Sequence, residues 1–424
     1  MKINLPSSKS LSNRALLLCA LSGTESSVGH MSNCDDTYVM WRALTTRSHE
    51  VDIMAAGTAM RFLTAFFSTC SNEEHIMTGT ERMRQRPIGV LVDALRHLGA
   101  EIEYTEKEGF PPLCIKGHQL CGGALSLPAN VSSQYISALL MVAPQMTEGL
   151  SLTLEGNIIS RPYIDMTLSM MQAFGADARW VSENVINVAP KCYRDGVIFN
   201  VESDWSAASY WYEVAAILPS KLHGEPFSIT LPWLHAKSWQ GDSEVQRLFQ
   251  PLGVETEFDA EHEWATLRRN DAIALPEGET YEANLVDQPD LAQTLVVTCA
   301  LLRRPFRFTG LRSLRIKETD RMEALRNELA KLGVDLGIES DEALFVSNYS
   351  PDAPRYNGMP IATYHDHRMA MAFAPARLLC PTLQIAHPEV VSKSYPNFWE
   401  EFSKVIKLVG IPGRFPDTLE ELSQ

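Results

Sequence analysis

Val92-Asp-Ala-Leu-Arg-His-Leu-Gly-Ala-Glu-Ile-Glu-Tyr104 joins two kinds of local order. Up to Leu98 it reads as an amphipathic helix. Gly99 then stands where a helix C′ glycine belongs, and Ala100-Glu-Ile-Glu-Tyr104 alternates as a strand does. The same succession returns at Met171-Gln-Ala-Phe-Gly175, Leu248-Phe-Gln-Pro-Leu-Gly253, Glu328-Leu-Ala-Lys-Leu-Gly333 and Ile406-Lys-Leu-Val-Gly410. The closing glycines, at 99, 175, 253, 333 and 410, are 76 to 80 residues apart. After Gly253 the strand pattern repeats as Val254-Glu-Thr-Glu-Phe258.

A second kind of segment alternates with the first. It opens on a small polar cluster and runs on as an apolar, helix-length stretch. Its six copies begin at Ser8, Gly57, Ser132, Asp204, Asp290 and Asp366. Ser, Gly and Asp cap helix N-termini, and segments apolar nearly all round belong in an interior. Six units of this kind predict two domains of three units each, with α/β (α+β) layers and the apolar helices inside. The first copy is expected to be shortened. Asp36-Thr-Tyr-Val-Met-Trp-Arg-Ala-Leu44 passes through a brief polar stretch to Ala55 with no strand of its own.

The chain has 424 residues, 37 Lys and Arg against 52 Asp and Glu, and a formal charge of −15. Such a chain is repelled by phosphate backbones and anionic lipid, so nucleic acid and membranes are not expected partners. None of the eight Cys forms CxxC. Cys19, Cys70, Cys299 and Cys380 lie in apolar runs and read as reduced core thiols, which points to the cytoplasm. Ala15-Leu-Leu-Leu-Cys-Ala-Leu21 is too short to span a bilayer, and no cleavage pattern follows it.

Against this acidic background, cations gather at the capped helix starts: Lys9, Arg14, Arg61, Arg86, Lys317, Arg321, Arg368 and Lys393. Helix N-termini add unpaired N–H groups and partial positive charge. The combination predicts a cleft between the domains for a strongly anionic small molecule. Lys9 is read as preceding its helix and reaching forward. Lys317 and Arg321, at i and i+4, are read as sharing one helical face, with Glu318 beside them. His365-Asp-His367 resembles a metal pair, but capping by Asp366 explains it better, and no metal or cofactor is expected.

These motifs resemble those of the EPSP synthase family of enolpyruvyl transferases. The segments that carry the resemblance are Leu5-Pro-Ser-Ser-Lys-Ser-Leu-Ser-Asn-Arg14, Ala56-Gly-Thr-Ala-Met-Arg61, Arg86-Pro-Ile-Gly89, Ser132-Ser-Gln134 and Ser160-Arg-Pro-Tyr163. They continue with Lys317-Glu-Thr-Asp-Arg321, Asp366-His-Arg-Met-Ala370 and Val391-Ser-Lys393, in family order from end to end. The resemblance implies two domains, 8–202 and 203–424 with 1–7. Each would hold three βαβαββ units, buried parallel helices and outer sheets, an inside-out α/β barrel. It implies transfer of the enolpyruvyl group of phosphoenolpyruvate to the 5-hydroxyl of shikimate 3-phosphate, in the pathway to chorismate and the aromatic amino acids, by a monomer.

Residue by residue, the resemblance gives shikimate 3-phosphate to Lys9, Ser10, Arg14, Ser132, Ser133, Gln134, Ser160, Asp290 and Lys317. It gives phosphoenolpyruvate to Lys9, Gly57, Arg86, Gln134, Arg321, Arg368 and Lys393. Asp290 is the expected base for the 5-hydroxyl, Glu318 the proton carrier for the methylene carbon, and Lys9 the stabiliser of developing charge. The chain departs from the family pattern at Ala55, Phe62 and Ser313, and none of these removes a catalytic group. A sister enzyme acting on UDP-N-acetylglucosamine uses a Cys in the loop before its Arg-Pro-Ile-Gly segment; here Thr78-Gly-Thr-Glu-Arg-Met-Arg-Gln-Arg86 has none. A non-enzymatic anion-binding protein would leave Asp290 and Glu318 without a role.

Overall fold

A computed structural model describes residues 1–411. The end of the second expected domain, 412–424, lies outside the described residues. The chain divides into two compact units, Ser7–Val201 and Met1–Pro6 together with the residues from Glu202 onward.

Within Ser7–Val201, one sheet runs in the order Glu50–Asp52, Glu74–Thr78, Leu113–Lys116, Glu101–Tyr104. Its first two strands are parallel and the other pairings antiparallel. Parallel neighbours need a long crossover, and the apolar helix Gly57–Ser68 supplies it. Helix Gly89–His97 then leads to the antiparallel pair. A second sheet repeats this order with Gly123–Pro128, Leu150–Glu155, Val185–Val188 and Ala178–Trp180. Its helices are Ser133–Val142 and Arg161–Ala173. The remaining repeat of this unit consists of helices Lys9–Ser22 and Asp35–Thr46 and one parallel strand pair, Ser27–Gly29 with Ile198–Asn200.

The other unit holds one full copy: strands Tyr281–Asn284, Phe306–Thr309, Ala343–Tyr349 and Val334–Glu339, with helices Ala292–Leu301 and Arg321–Ala330. The repeat that begins at Asp204 has helix Trp205–Ile217 and a three-stranded sheet, Ile229–Pro232, Trp264–Arg269, Val254–Asp259. The start of the chain takes the first-strand position there. Lys2 bridges Thr230 in parallel, Ile3 N–H bonds Thr230 O at 3.0 Å, and Thr230 N–H bonds Met1 O at 2.7 Å. The last repeat holds helices His367–Phe373 and Phe398–Val409 and a lone bridge between Ile361 and Ile385.

The expectation of six βαβαββ units is therefore met strand for strand in three sheets among the described residues. The other repeats carry fewer strands. Before and after helix His367–Phe373 the chain holds Pro351, Pro354, Pro360 and Pro381, which have no N–H to give a ladder. The stretch after the first copy does hold a strand, Glu50–Asp52, but it pairs in the sheet of the next repeat, so the first copy has none of its own there. Only Val51 is buried in it, so alternation over three residues was too brief to read.

All five closing glycines have positive φ, between 70° and 104°. There a side chain would strain the backbone. The helices Gly57–Ser68, Ser133–Val142, Trp205–Ile217 and Ala292–Leu301 are buried on nearly every face. Phe62, Phe66 and Phe67 fill one core and Trp205, Tyr210, Trp211 and Tyr212 the other. Each such side chain contributes roughly 1.5–3 kcal/mol of hydrophobic stabilisation.

Candidate functional site

In the unit Ser7–Val201, buried Arg14 fixes how the helices stand. Its Nε–H bonds Thr167 Oγ1 at 2.7 Å and Nη2 bonds Ser137 Oγ at 3.1 Å. Arg14, Ser137 and Thr167 lie five, four and six residues past the first residues of their helices. The three helices therefore meet near their first turns. Arg14 also lies 5.3 Å from the ring of Phe62, five residues into helix Gly57–Ser68. Burial pushes its pKa down to about 10. Further bonds to the carbonyls of Ser10 and Tyr163 tie the guanidinium to the helix starts.

The expected ligands of this unit sit at those helix starts. Ser8 caps helix Lys9–Ser22 and Ser132 caps helix Ser133–Val142. Ser160, left-handed at φ 53°, precedes helix Arg161–Ala173. Gln134 Nε2–H bonds Thr58 Oγ1 at 3.2 Å, which ties two helix starts together. Gly57 carries the guanidinium of Arg86: a Cβ there would stand 2.7 Å from Nη1. A helix N-terminus and an Arg fork thus share one place, suited to phosphate or carboxylate. Lys9 differs from its expected placement. It is the first residue of its helix, and its Nζ bonds Asp36 Oδ2 at 3.0 Å. Ser8 takes the capping position ahead of it, its side chain accepting from Leu11 N–H.

In the other unit the expected residues converge on two carboxylates. Asp290 Oδ1 receives Arg321 Nη1 at 2.9 Å and lies 3.3 Å from Lys317 Nζ. Asp290 Oδ2 receives Arg368 Nη2 at 3.1 Å. Glu318 Oε2 receives Arg321 Nη2 at 3.0 Å and Oε1 receives Lys393 Nζ at 2.9 Å. Burial alone would raise the pKa of Asp290, yet Arg368, Lys317 and Arg321 hold it well below the usual carboxylate range.

Two expectations change here. Lys317 and Arg321 do not share a helical face. Asp320 accepts from the N–H groups of Met322 and Glu323, so the helix starts at Arg321 and Lys317 lies in extended backbone before it. They meet on Asp290 instead. Asp290 in turn is no cap. Pro289 opens a 3-10 turn, Pro289–Leu291, and the carboxyl faces the cations. Gly57 is likewise the first helical residue, with Ala56 in the cap position. Asp366 caps helix His367–Phe373 through Arg368 N–H at 2.9 Å, as its spacing predicts.

The family model described as EPSP synthase (3-phosphoshikimate 1-carboxyvinyltransferase) matches residues 1–47 and 44–402. The chain belongs to the EPSP synthase family. A 3-phosphoshikimate 1-carboxyvinyltransferase of Bacteroides fragilis is 52% identical over 403 residues, covering 95% of this chain and 94% of that one. One from Yersinia pestis is 33% identical over 435 residues, covering 96% of each. Among solved structures, an EPSP synthase from Acinetobacter baumannii superposes with a TM-score of 0.70 at 22% identity, over 95% of each chain. An enolpyruvyl transferase from Streptomyces tendae gives 0.64 at 13%, covering 95% of this chain and 94% of that one. These last two likenesses speak for the fold.

Beside the family's motif residues the structure places partners that sequence reasoning missed. Asp36 holds Lys9. Asp366, besides capping, grips Arg321 with both oxygens, at 2.7 Å to Nε and 3.3 Å to Nη2. Together with Glu318 and Asp290 it raises the pKa of Arg321 against the effect of burial. Ser206 and Asp242 stand behind Arg368. Asp366 left a signal in the Asp-His-Arg spacing; Asp36 and Asp242 left none beyond an acidic residue near a helix start. Among the described residues, no three His, Cys, Asp or Glu side chains gather as a metal site, and no helix is long and apolar enough to cross a membrane.

Proposed function

We propose that the chain transfers the enolpyruvyl group of phosphoenolpyruvate to the 5-hydroxyl of shikimate 3-phosphate and releases phosphate. The observation that carries this reading is the pair of carboxylates, Asp290 and Glu318, bridged by one buried guanidinium, Arg321. Arg321, Arg368 and Lys393, with Gly57, Arg86, Gln134 and Lys9, hold phosphoenolpyruvate. Lys9, Ser10, Arg14, Ser132, Ser133, Gln134, Ser160, Asp290 and Lys317 hold shikimate 3-phosphate.

The chemistry follows from competition for positive charge. Cations keep Asp290 ionised, and a carboxylate so held is a weak base. A substrate phosphate or carboxylate that takes up N–H donors of Arg321, Arg368 and Lys393 returns basicity to Asp290 and draws the cations away from Glu318. Asp290 then accepts the proton of the 5-hydroxyl while its oxygen bonds C2 of phosphoenolpyruvate. Glu318, once it has taken a proton from solvent, delivers it to the methylene carbon, giving a tetrahedral intermediate. Glu318 takes a proton back from the methyl group as the C2–O bond to phosphate breaks, with Lys9 stabilising the charge that develops.

Each unit would be an inside-out α/β barrel, with domains of 8–202 and 203–424 plus 1–7, in a monomer of the cytoplasm. The wholly buried helices with sheets of alternating burial support the barrel. The sister reaction on UDP-N-acetylglucosamine is disfavoured by the loop 78–86, which contains a short helix, Glu81–Arg84, and no Cys. Phosphate release from phosphoenolpyruvate with each acceptor tests the reading. Release with shikimate 3-phosphate alone is expected. Release only with UDP-N-acetylglucosamine, or with neither, overturns it.

A further inference from the structure

Arg368 stands between two carboxylates, and the proposed mechanism uses only one of them. Its Nη1 and Nη2 bond the carbonyl and carboxyl oxygens of Asp290 at 3.2 and 3.1 Å. On its other side, Nη2 lies 3.5 Å from Ser206 Oγ. The Ser206 hydroxyl in turn donates its proton to Asp242 Oδ2. A hydroxyl that gives its one proton to Asp242 offers only lone pairs to the guanidinium, so this bond sets the direction of the contact.

Asp242 is anchored rather than adventitious. It is the buried residue of the 3-10 turn Gly241–Glu244. The preceding side chain locks that turn to the start of helix Trp205–Ile217. Gln240 Oε1 accepts from Trp205 N–H at 3.1 Å, and Nε2 donates to Ser203 O at 2.9 Å and Glu202 Oε1 at 2.8 Å. Helix Trp205–Ile217, the 241–244 turn and Arg368 of helix His367–Phe373 are therefore held as one piece.

We propose, on the reading of Asp290 as the base, that Asp242 and Ser206 are a positioning pair that aims Arg368 and divides its charge between two carboxylates. With Asp242 present, Arg368 does not neutralise Asp290 fully, and Asp290 keeps more of its basicity. Burial, and then the charge of Asp290, lift Asp242 to about pKa 6, opposed by Arg368 and the Ser206 hydrogen bond. The same proximity must raise Asp290 in return. The groups facing Asp290 are Arg321, Lys317, Glu318 and Arg368, with Asp242 beyond Arg368; Asp204 and Tyr210 also face this cluster.

Asp242→Asn keeps the shape and removes the charge. It is expected to lower kcat on the order of tenfold, the effect of about one pKa unit on a base. The acid limb of the kcat against pH profile should move to lower pH. A role in packing alone would scale the rate down equally at every pH and leave the limb in place. Ser206→Ala should show the same loss through a misdirected Arg368, with a raised KM for phosphoenolpyruvate, and Ser206→Thr should recover it. Should Asp242→Asn fail to fold, the two Ser206 variants decide. Wild-type kcat, KM and pH limb in Asp242→Asn, or in Ser206→Ala, overturn the proposal. Wild-type protein that turns over no shikimate 3-phosphate would overturn the functional reading instead, before any variant is compared.

Discussion

Gly57→Ala tests the anion site in Ser7–Val201 with a single methyl group. Gly57 is the first residue of its helix, so Ala adopts the backbone without strain and favours the helix slightly, by up to about 0.5–1 kcal/mol. The cost falls on Arg86. The new Cβ stands 2.7 Å from Nη1 and 3.2 Å from Cζ and Nη2. Carbon contacts relax to roughly 3.5–4 Å, so the guanidinium retreats by about 1 Å. A hydrogen bond to a charged group contributes about 1.5–3 kcal/mol, and about 1.4 kcal/mol is a factor of ten. The KM for phosphoenolpyruvate should rise roughly 10- to 100-fold. The melting temperature should hold or rise, and kcat should fall less than KM rises. Steady-state phosphate release with varied phosphoenolpyruvate measures the first, and calorimetry the second. In an Arg86→Ala background the same methyl should add nothing further. A KM within about twofold of wild type in the stable single variant would refute the reasoning and remove Arg86 from the substrate.

Glu318→Gln keeps the size of the side chain and loses the proton carrier. It should bind both substrates by calorimetry while turnover falls about 10²–10⁴-fold. Solvent deuterium entering the methylene at the wild-type rate would assign the proton to another residue, with Lys9 the first to examine. Lys9→Met should abolish turnover in a folded protein. It also strands the buried Asp36, so its denaturation midpoint should fall, and a near-normal rate would take Lys9 out of the chemistry. Glu213 is fully buried in helix Trp205–Ile217 with neither carboxyl oxygen hydrogen-bonded among the described residues, and burial raises its pKa well above normal. The folded chain keeps a proton that the unfolded chain sheds above about pH 4.3, so stability falls as pH rises past that point. Glu213→Leu should raise the urea midpoint at pH 8, with the gain shrinking as the pH nears about 4; an equal gain at both would show that ionisation plays no part.

The sequence by itself determined what depends on neighbours along the chain. Closing glycines at 99, 175, 253, 333 and 410 announced left-handed turns, and each has one, because that conformation excludes a Cβ locally. Wholly apolar stretches announced buried helices for the same kind of reason, since their burial depends only on having no polar face. Spacing also announced the caps at Ser8, Ser132, Asp204 and Asp366. The gathering of cations at helix starts was legible as composition against a charge of −15.

Tertiary structure alone decided which carboxylate meets which cation. Lys317 and Arg321 looked like helical neighbours, but a cap at Asp320 moved the helix start, and they meet through Asp290, about 30 residues away in sequence. Asp290 looked like a cap, yet a proline turn left its carboxyl free to face Arg321 and Arg368. Asp36 beside Lys9, Asp366 around Arg321 and Asp242 behind Arg368 became visible only when helices were laid side by side. Nor did local pattern show that residues 1–3 complete a sheet with residue 230, because a parallel pairing leaves no turn between its strands. Helix caps and glycine turns are local energies written in adjacent residues. Ion pairs depend on distances of a few ångströms between segments far apart in the chain, and those distances exist only once the helices have packed.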